Sequence, residues 1–161
     1  MHDLGDRQAT AMSVKMIAAI TSHGEENIHG ELSCSYFHEP IVFTCLVRMI
    51  EIMETTFDVT GFPEKHLLPR TFRKPKQRVR KHEINLHEHI KKIQKNVAGT
   101  VSGKLKSSFE IMVQFRHNAE WQGQIHWIEE GITRKFSGIV EMLMLINAAL
   151  SKHHMQAQAA V

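Results

Sequence analysis

The densest group of polar and aromatic side chains in the sequence includes both of its tryptophans. Its members are Arg116, Asn118, Trp121, Gln122 and Trp127. A guanidinium and an amide beside indole faces can hold an anion or a base. The same residues also suit a plain β-hairpin, with the asparagine in the turn and the arginine stacked on an indole ring. The structural interpretation is favoured, and the five residues stand as candidate ligand or partner contacts.

A run of cations without an acidic residue forms a second candidate site. Such a run can contact phosphates, with a steep salt dependence and no sequence preference. Phe72 is its only aromatic side chain, so base stacking is hardly supported. The candidate anion contacts are Arg70, Arg73, Lys74, Lys76, Arg78, Arg80 and Lys81.

The formal net charge of +3 hides an uneven distribution along the chain. Residues 65–106 hold 13 lysines and arginines against two glutamates, a balance of +11, and the remainder has a balance of −8. Charge of one sign gathered in one segment usually marks a solvated linker or an interaction arm. The alternative is that the basic segment lies against the acidic body of the same chain.

The twelve histidines suggest a metal site, but their spacing argues against one. His82, Glu83 and His87 form an H-E-x-x-x-H sequence, one residue longer than the zinc-protease motif. Positions five apart on a helix do not share a face, so the two imidazoles cannot meet one ion there. We therefore predict that the chain holds no metal.

The sequence also lacks a convincing nucleophile or nucleotide loop. Gly103–Lys104 resembles part of a phosphate loop, but Leu105 stands where a magnesium-binding hydroxyl is required. Cys34 and Cys45 fall at apolar positions, and the sequence places no base beside them. No catalytic constellation was found, and we expect no cofactor and no enzymatic activity.

The elements that would position these residues are organised by an internal similarity. A shift of 93 residues aligns residues 28–57 with residues 121–150 without a gap. The four identical pairs are Gly30/Gly123, Phe43/Phe136, Val47/Val140 and Met49/Met142. Apolar residues align with apolar residues elsewhere in the two segments. Two unrelated amphipathic helices could align in this way, but the shared spacing from glycine to phenylalanine favours a duplication.

The second copy predicts strands over residues 109–115, 121–127 and 132–136, followed by an amphipathic helix over 139–150. The evidence is alternation with a period of two in the strands, and apolar residues at spacings of 3, 4, 7 and 11 in the helix.

The first copy predicts strands over 28–37 and 41–43, then a helix that starts near Leu46 and ends at Gly61. A short helix is expected over Met12–Ile20, ahead of this copy. Between the copies, Leu86, Ile90, Ile93 and Val97 predict one more amphipathic helix.

The predicted organisation has five segments. Residues 1–27 form a tail with the short helix, 28–64 the first repeat, 65–106 a basic linker with the extra helix, 107–151 the second repeat and 152–161 a disordered tail. The predicted fold is α+β, with two pseudo-repeated β-β-α units that share an antiparallel sheet and pack both repeat helices on one face. The longest apolar run is too short and polar to span a bilayer, and the first residues lack a signal-peptide pattern, so we expect no membrane contact and a cytoplasmic location.

The motif R-x-N-x-x-W-Q-G-x-I-x-W over residues 116–127 resembles a mark of a group of short bacterial proteins from Gram-positive anaerobes. Phe136–Ser137 and the helix that ends in Ala149–Leu150 extend the resemblance, and residues 28–72 are similar to the first half of those proteins. No activity is known for the group, so the resemblance implies a fold and little about function.

Three functions stay open on the sequence. The favoured one is a non-enzymatic protein-interaction or accessory module, in a homodimer or with another protein. The second is a nucleic-acid-binding protein that uses residues 70–106. The third is a small-molecule-binding protein or enzyme at the Arg116/Trp121 region.

Overall fold

The computed structural model describes residues 14–23, 28–66, 88, 90–92, 107–117 and 120–159. These residues contain seven strands and three helical segments. The strands are β1 (Met16–His23), β2 (Ile28–Cys34), β3 (Ile41–Phe43), β4 (Lys65–His66), β5 (Ser107–His117), β6 (Glu120–Trp127) and β7 (Ile132–Phe136). The helices are α1 (Leu46–Thr60), α2 (residues 88 and 90–92) and α3 (Ile139–Ala159).

The strands form one sheet in the order β3-β2-β1-β5-β6-β7, and each neighbour along this path is antiparallel. β4 pairs in parallel with the end of β5, through Lys65 opposite Arg116. The predicted α+β class is confirmed. Three strands directly precede each of α1 and α3. The prediction for the second copy has three strands, whereas β1 is a strand that the prediction for the first half lacks.

One hydrophobic core lies between the sheet and the helices. Alternate residues of β1 are buried there, so Met16, Ala18 and Ile20 are inside while Ile17 is 38% exposed. Such alternation is the period of a strand with one buried face. Both long helices add their apolar stripes to the same core, which are Met49, Ile52, Met53 and Phe57 from α1 and Met142, Ile146, Ala149 and Leu150 from α3.

The short helix expected over Met12–Ile20 is wrong for the residues that the structure describes there, because Met16–His23 is strand β1. Alanine and methionine favour helices, but the preference is only a fraction of a kcal/mol per residue. β1 pairs on both of its edges, with β2 and with β5, and these two ladders decide its conformation.

Two further expectations are corrected at segment ends. The strand expected over 28–37 ends at Cys34. Residues 152–159, expected as a disordered tail, continue α3. No glycine or proline follows Leu150 to end the helix, and the residues beyond it include good helix formers. By contrast, α1 ends as expected, at Gly61 with a φ of 70°.

The segment between the two halves is described only in part. Ile90 on α2 is 6% exposed and belongs to the main core, so this part of the extra helix docks on the body of the chain. The rest of the expected Leu86–Val97 helix lies outside the described residues.

The β1–β2 and β5–β6 ladders have the same register when residues 93 apart are compared. Met16 pairs with Cys34 in the first half, and Phe109 pairs with Trp127 in the second. Each ladder carries one bulge, and the two bulges also lie 93 residues apart. The two long helices start at Leu46 and Ile139, again at this offset.

Gly30 and Gly123 occupy matching places in this arrangement. A Cβ at Gly30 would collide with a carbonyl oxygen of β1 and would lie 2.7 Å from the ring of Phe43. A Cβ at Gly123 would collide with a carbonyl oxygen of β5 and would lie 3.0 Å from the ring of Phe136. The close approach of an aromatic ring to a strand glycine explains why the sequence pairs these residue types.

Candidate functional site

Arg116, the first candidate contact, is buried under helix α1. It lies near the end of β5 on the core face of the sheet and is 2% exposed. Its Nε donates to the carbonyl oxygen of Pro63 at 2.8 Å, and its Nη1 donates to Asp58 Oδ1 at 2.8 Å. The guanidinium carbon lies 5.4 Å from the centre of the Phe57 ring, within the range of a cation–π contact.

Trp121 stands opposite Arg116 in the sheet and joins the same cluster. It is 1% exposed, and its Nε1 donates to Glu54 Oε2 at 3.0 Å. Its ring meets the edge of Phe57, with centroids 5.3 Å apart and planes at 76°. The indole therefore has both its polar and its apolar partners within the chain.

Two carboxylates and two cations form the polar part of this cluster. Glu54 Oε1 accepts from Lys65 Nζ at 2.6 Å and lies 3.3 Å from Arg116 Nη1, which also pairs with Asp58. The charges balance, and the bonds join α1 to β4 and β5. The arrangement holds the helix on the sheet, and the indole and the guanidinium do not face outward to a ligand.

The other three members of the predicted site are not gathered here. Gln122 is exposed and lies on the opposite face of the sheet from Trp121, since successive strand residues point to opposite faces. Trp127 lies at the far end of β6, where it is 7% exposed and stacks on Phe109 with centroids 6.2 Å apart. Asn118 lies outside the described residues.

The candidate anion contacts belong to the segment between β4 and α2. Arg70, Arg73, Lys74, Lys76, Arg78, Arg80 and Lys81 all lie outside the described residues, as do His82 and His87. Within the described part of the chain, no group of three histidine, cysteine or acidic residues could hold a metal ion.

The two cysteines are free thiols of intermediate burial. Burial raises the pKa of the Cys34 thiol, and backbone hydrogen bonds from Tyr36 and Phe37 only partly offset this effect. A raised pKa favours the protonated thiol over the nucleophilic thiolate. Cys34 therefore has the environment of a packed side chain rather than that of an activated nucleophile.

A groove of about 530 Å³ runs along α1 beside the Arg116 cluster. Its walls are charged, and all of these charges except that of the exposed Lys92 are paired with other residues that the structure describes. Glu54 and Asp58 hold Arg116, and Arg48 Nη1 pairs with Glu51 at 2.6 Å. A ligand that bound the paired groups would have to compete with these bonds.

A more enclosed cavity, which the sequence pattern did not predict, lies beneath Trp127. It has a volume of about 200 Å³ and lies between α3 and the ends of the last three strands. The side chains around it are Phe109, Ile125, Trp127, Ile132, Arg134, Leu145, Ala148, Ala149 and Lys152. The only sequence signal for this cavity is the pair of adjacent small residues at positions 148–149. That signal is weak, because only the fold brings these residues close to Trp127.

The outward face of α3 carries four uncharged residues in a row, Val140, Met144, Asn147 and Ser151, which we call the α3 ridge. All four are exposed, and the exposed fractions of Val140 and Met144 are 70% and 66%. Their spacing of four, three and four residues places them on one side of the helix.

No family model, curated protein or solved structure matches this chain. Among the residues described, none of the helices has the length and apolar character needed to cross a bilayer.

Proposed function

We propose that the chain is a non-enzymatic interaction module, and that the partner bound by its α3 ridge is a second copy of the same chain. The observation that carries this proposal is the exposure of Val140 and Met144, one helical turn apart on a ridge without charge. Single exposed apolar residues are common, but two adjacent ones on a helix face without charge offer an apolar contact surface.

Helix α1 has no uncharged ridge at the positions that correspond to the α3 ridge. Helix α1 carries Val47, Glu51, Glu54 and Asp58 at the positions that precede the ridge residues by 93. Three of these four are acidic and bind cations of the same chain. The contrast supports α3 rather than α1 as the partner surface.

Charge favours a second copy as the occupant. Glu141 and Lys152 lie eleven residues apart, which puts them on one flank of α3 at opposite ends of the ridge. Two copies related by a two-fold axis, with their α3 helices antiparallel, bring Glu141 of each copy toward Lys152 of the other. The antiparallel helix dipoles add to the attraction.

We also infer that the two halves of the chain are pseudo-equivalent units that arose by duplication. The common offset of 93 residues in strand register, bulges and helix starts supports this inference. The free thiols of Cys34 and Cys45 are compatible with a reducing compartment and support a cytoplasmic location.

Sedimentation velocity over a range of protein concentrations tests the self-association. The wild-type chain should sediment as a dimer, and Met144→Glu should sediment as a monomer with an unchanged circular dichroism spectrum, because two glutamates would be buried without partners. Val47→Glu is the matched control on α1 and should remain dimeric. We expect a dimer dissociation constant on the order of 10 μM, so a wild-type chain that stays monomeric at about 200 μM would contradict the proposal.

Nucleic-acid binding is the second candidate function, and the observation that favours it is the balance of +11 over residues 65–106. A salt titration with generic DNA and RNA tests it. Binding at low salt that weakens steeply as salt rises is the expected behaviour for phosphate contacts by these cations. Absence of binding at low salt would eliminate this candidate.

A further inference from the structure

We propose that the cavity beneath Trp127 binds a small carboxylate that carries a single apolar ring. This inference goes beyond the proposed self-association, and Lys152 is the one residue that the two proposals share. The ring would lie among the apolar side chains of the cavity, and its carboxylate would meet the two cations that line it, Arg134 and Lys152.

The size and lining of the cavity set the apolar part of the ligand. At about 200 Å³ it is somewhat larger than an engineered apolar cavity of about 150 Å³ that accepts benzene. It is smaller than the sites of about 300 Å³ or more that hold drug-sized molecules. Phe109, Ile125 and Trp127 are all buried and line it, so a six-membered ring fits its volume and its chemistry.

The two cations set the charged part of the ligand. Lys152 Nζ lies 5.6 Å from the centre of the Trp127 ring and 3.2 Å from Glu130 Oε2. Half of the Lys152 side chain is exposed, and an exposed ion pair of this kind contributes little to stability. The ammonium can therefore turn to a ligand carboxylate at small cost, and the Arg134 guanidinium offers planar donors for the same group.

The first half of the chain provides an internal comparison. The positions that precede Trp127, Arg134 and Lys152 by 93 are occupied by Cys34, Ile41 and Val59. Two apolar side chains thus stand where the second half has its two cations.

The small residues that open the cavity are missing from the first half as well. Thr55 and Thr56 stand where the second half has Ala148 and Ala149. Thr56 is fully buried, and its hydroxyl donates to the carbonyl oxygen of Ile52 at 2.7 Å. Of the two halves, only the second therefore combines small residues, an indole and two cations at these positions.

Titration of the full chain with benzoate, followed by ¹H–¹⁵N NMR, tests the site. The indole N–H signal of Trp127 should shift and saturate with a Kd of about 1 mM, the range for so small a ligand. The indole signal of Trp121 should not move, since Trp121 does not line the cavity. Benzyl alcohol, an uncharged molecule with the same ring, should bind at least about tenfold more weakly because its hydroxyl cannot form an ion pair with the two cations.

Three variants decide the outcome. Ala148→Leu fills the cavity and should abolish the shift, whereas Thr55→Leu, its matched control on α1, should leave benzoate binding unchanged. The double variant R134Q/K152Q should weaken benzoate about tenfold without affecting benzyl alcohol. The double variant changes only exposed ends of side chains, so it gives a result even if Ala148→Leu fails to fold.

Other results would overturn the proposal. One is a Trp127 signal whose shift does not saturate by about 20 mM benzoate, which is twentyfold above the expected Kd. The others are equal affinity for benzoate and benzyl alcohol, and benzoate binding by the double variant as tight as that of the wild-type chain. The monomeric Met144→Glu variant should bind benzoate like the wild-type chain, so a failure of this site and a failure of self-association are distinguishable.

Discussion

Ile17 of β1 and Glu110 of β5 lie directly opposite each other at the centre of the sheet, and they are 93 residues apart in the sequence. On one side of them Met16 pairs with Ile111, and on the other Ala18 pairs with Phe109. Shifting either pair by 93 residues and exchanging the strands gives the other pair. A two-fold axis between two copies of one unit requires this register, and the ladder therefore supports the proposed duplication.

The first prediction concerns the two strand glycines. Gly30→Ala and Gly123→Ala should each lower the free energy of unfolding by roughly 2–3 kcal/mol, because each Cβ meets a carbonyl oxygen and an aromatic ring in a packed ladder. Chemical denaturation measures both values. Gly138→Ala is the control and should have a much smaller effect, since its Cβ would meet only the flexible end of Glu120. A large loss at one strand glycine and none at the other would contradict the equivalence of the halves.

The second prediction concerns the buried guanidinium. Arg116→Met should lower the free energy of unfolding by roughly 3 kcal/mol, because Glu54 and Asp58 lose a shared cation and the Pro63 carbonyl loses its donor. Arg48→Met is the control. It removes an arginine from an exposed ion pair on α1 and should change the free energy of unfolding by less than about 1 kcal/mol. If the two variants were equally stable, Arg116 would not hold α1 on the sheet.

The sequence predicts elements with local signals and misses features that depend on distant residues. Alternation and helical spacing predict the strands and the helix of the second half, since those signals are local. β1 was missed because its pairing partners on β5 are about 90 residues away, although extending the 93-residue comparison back to Met16 would have matched it with Phe109. The burial of Arg116 was also out of reach, because its carboxylate partners lie 58 and 62 residues earlier and only the packing of α1 brings them near.

The third prediction is a pH dependence at the start of α3. Hydrogen bonds from the backbone N–H of Ser137, and then from its hydroxyl, lower the pKa of Glu141. A lowered carboxyl pKa stabilises the folded chain above the ordinary carboxyl pKa, and this contribution is lost as pH falls through the lowered value.

Thermal unfolding of Glu141→Gln and its parent at pH 7 and pH 3 measures this contribution. The parent should be the more stable protein at pH 7, and the gap should narrow at pH 3. Repeating both scans at several protein concentrations separates this effect from self-association. A gap that is the same at both pH values would show that the Glu141 charge does not act through Ser137.

The last prediction concerns the reactivity of Cys34. Its raised pKa keeps the thiol protonated at pH 8, where an ordinary exposed cysteine is partly ionised. In a Cys45→Ser variant, which leaves a single thiol, iodoacetamide should therefore alkylate the folded chain at least about tenfold more slowly than the chain in denaturant. Mass spectrometry over a time course gives both rates. Equal alkylation rates in the folded and the denatured chain would contradict the prediction. They would show that the burial of Cys34 between β2 and the following turn does not protect its thiol.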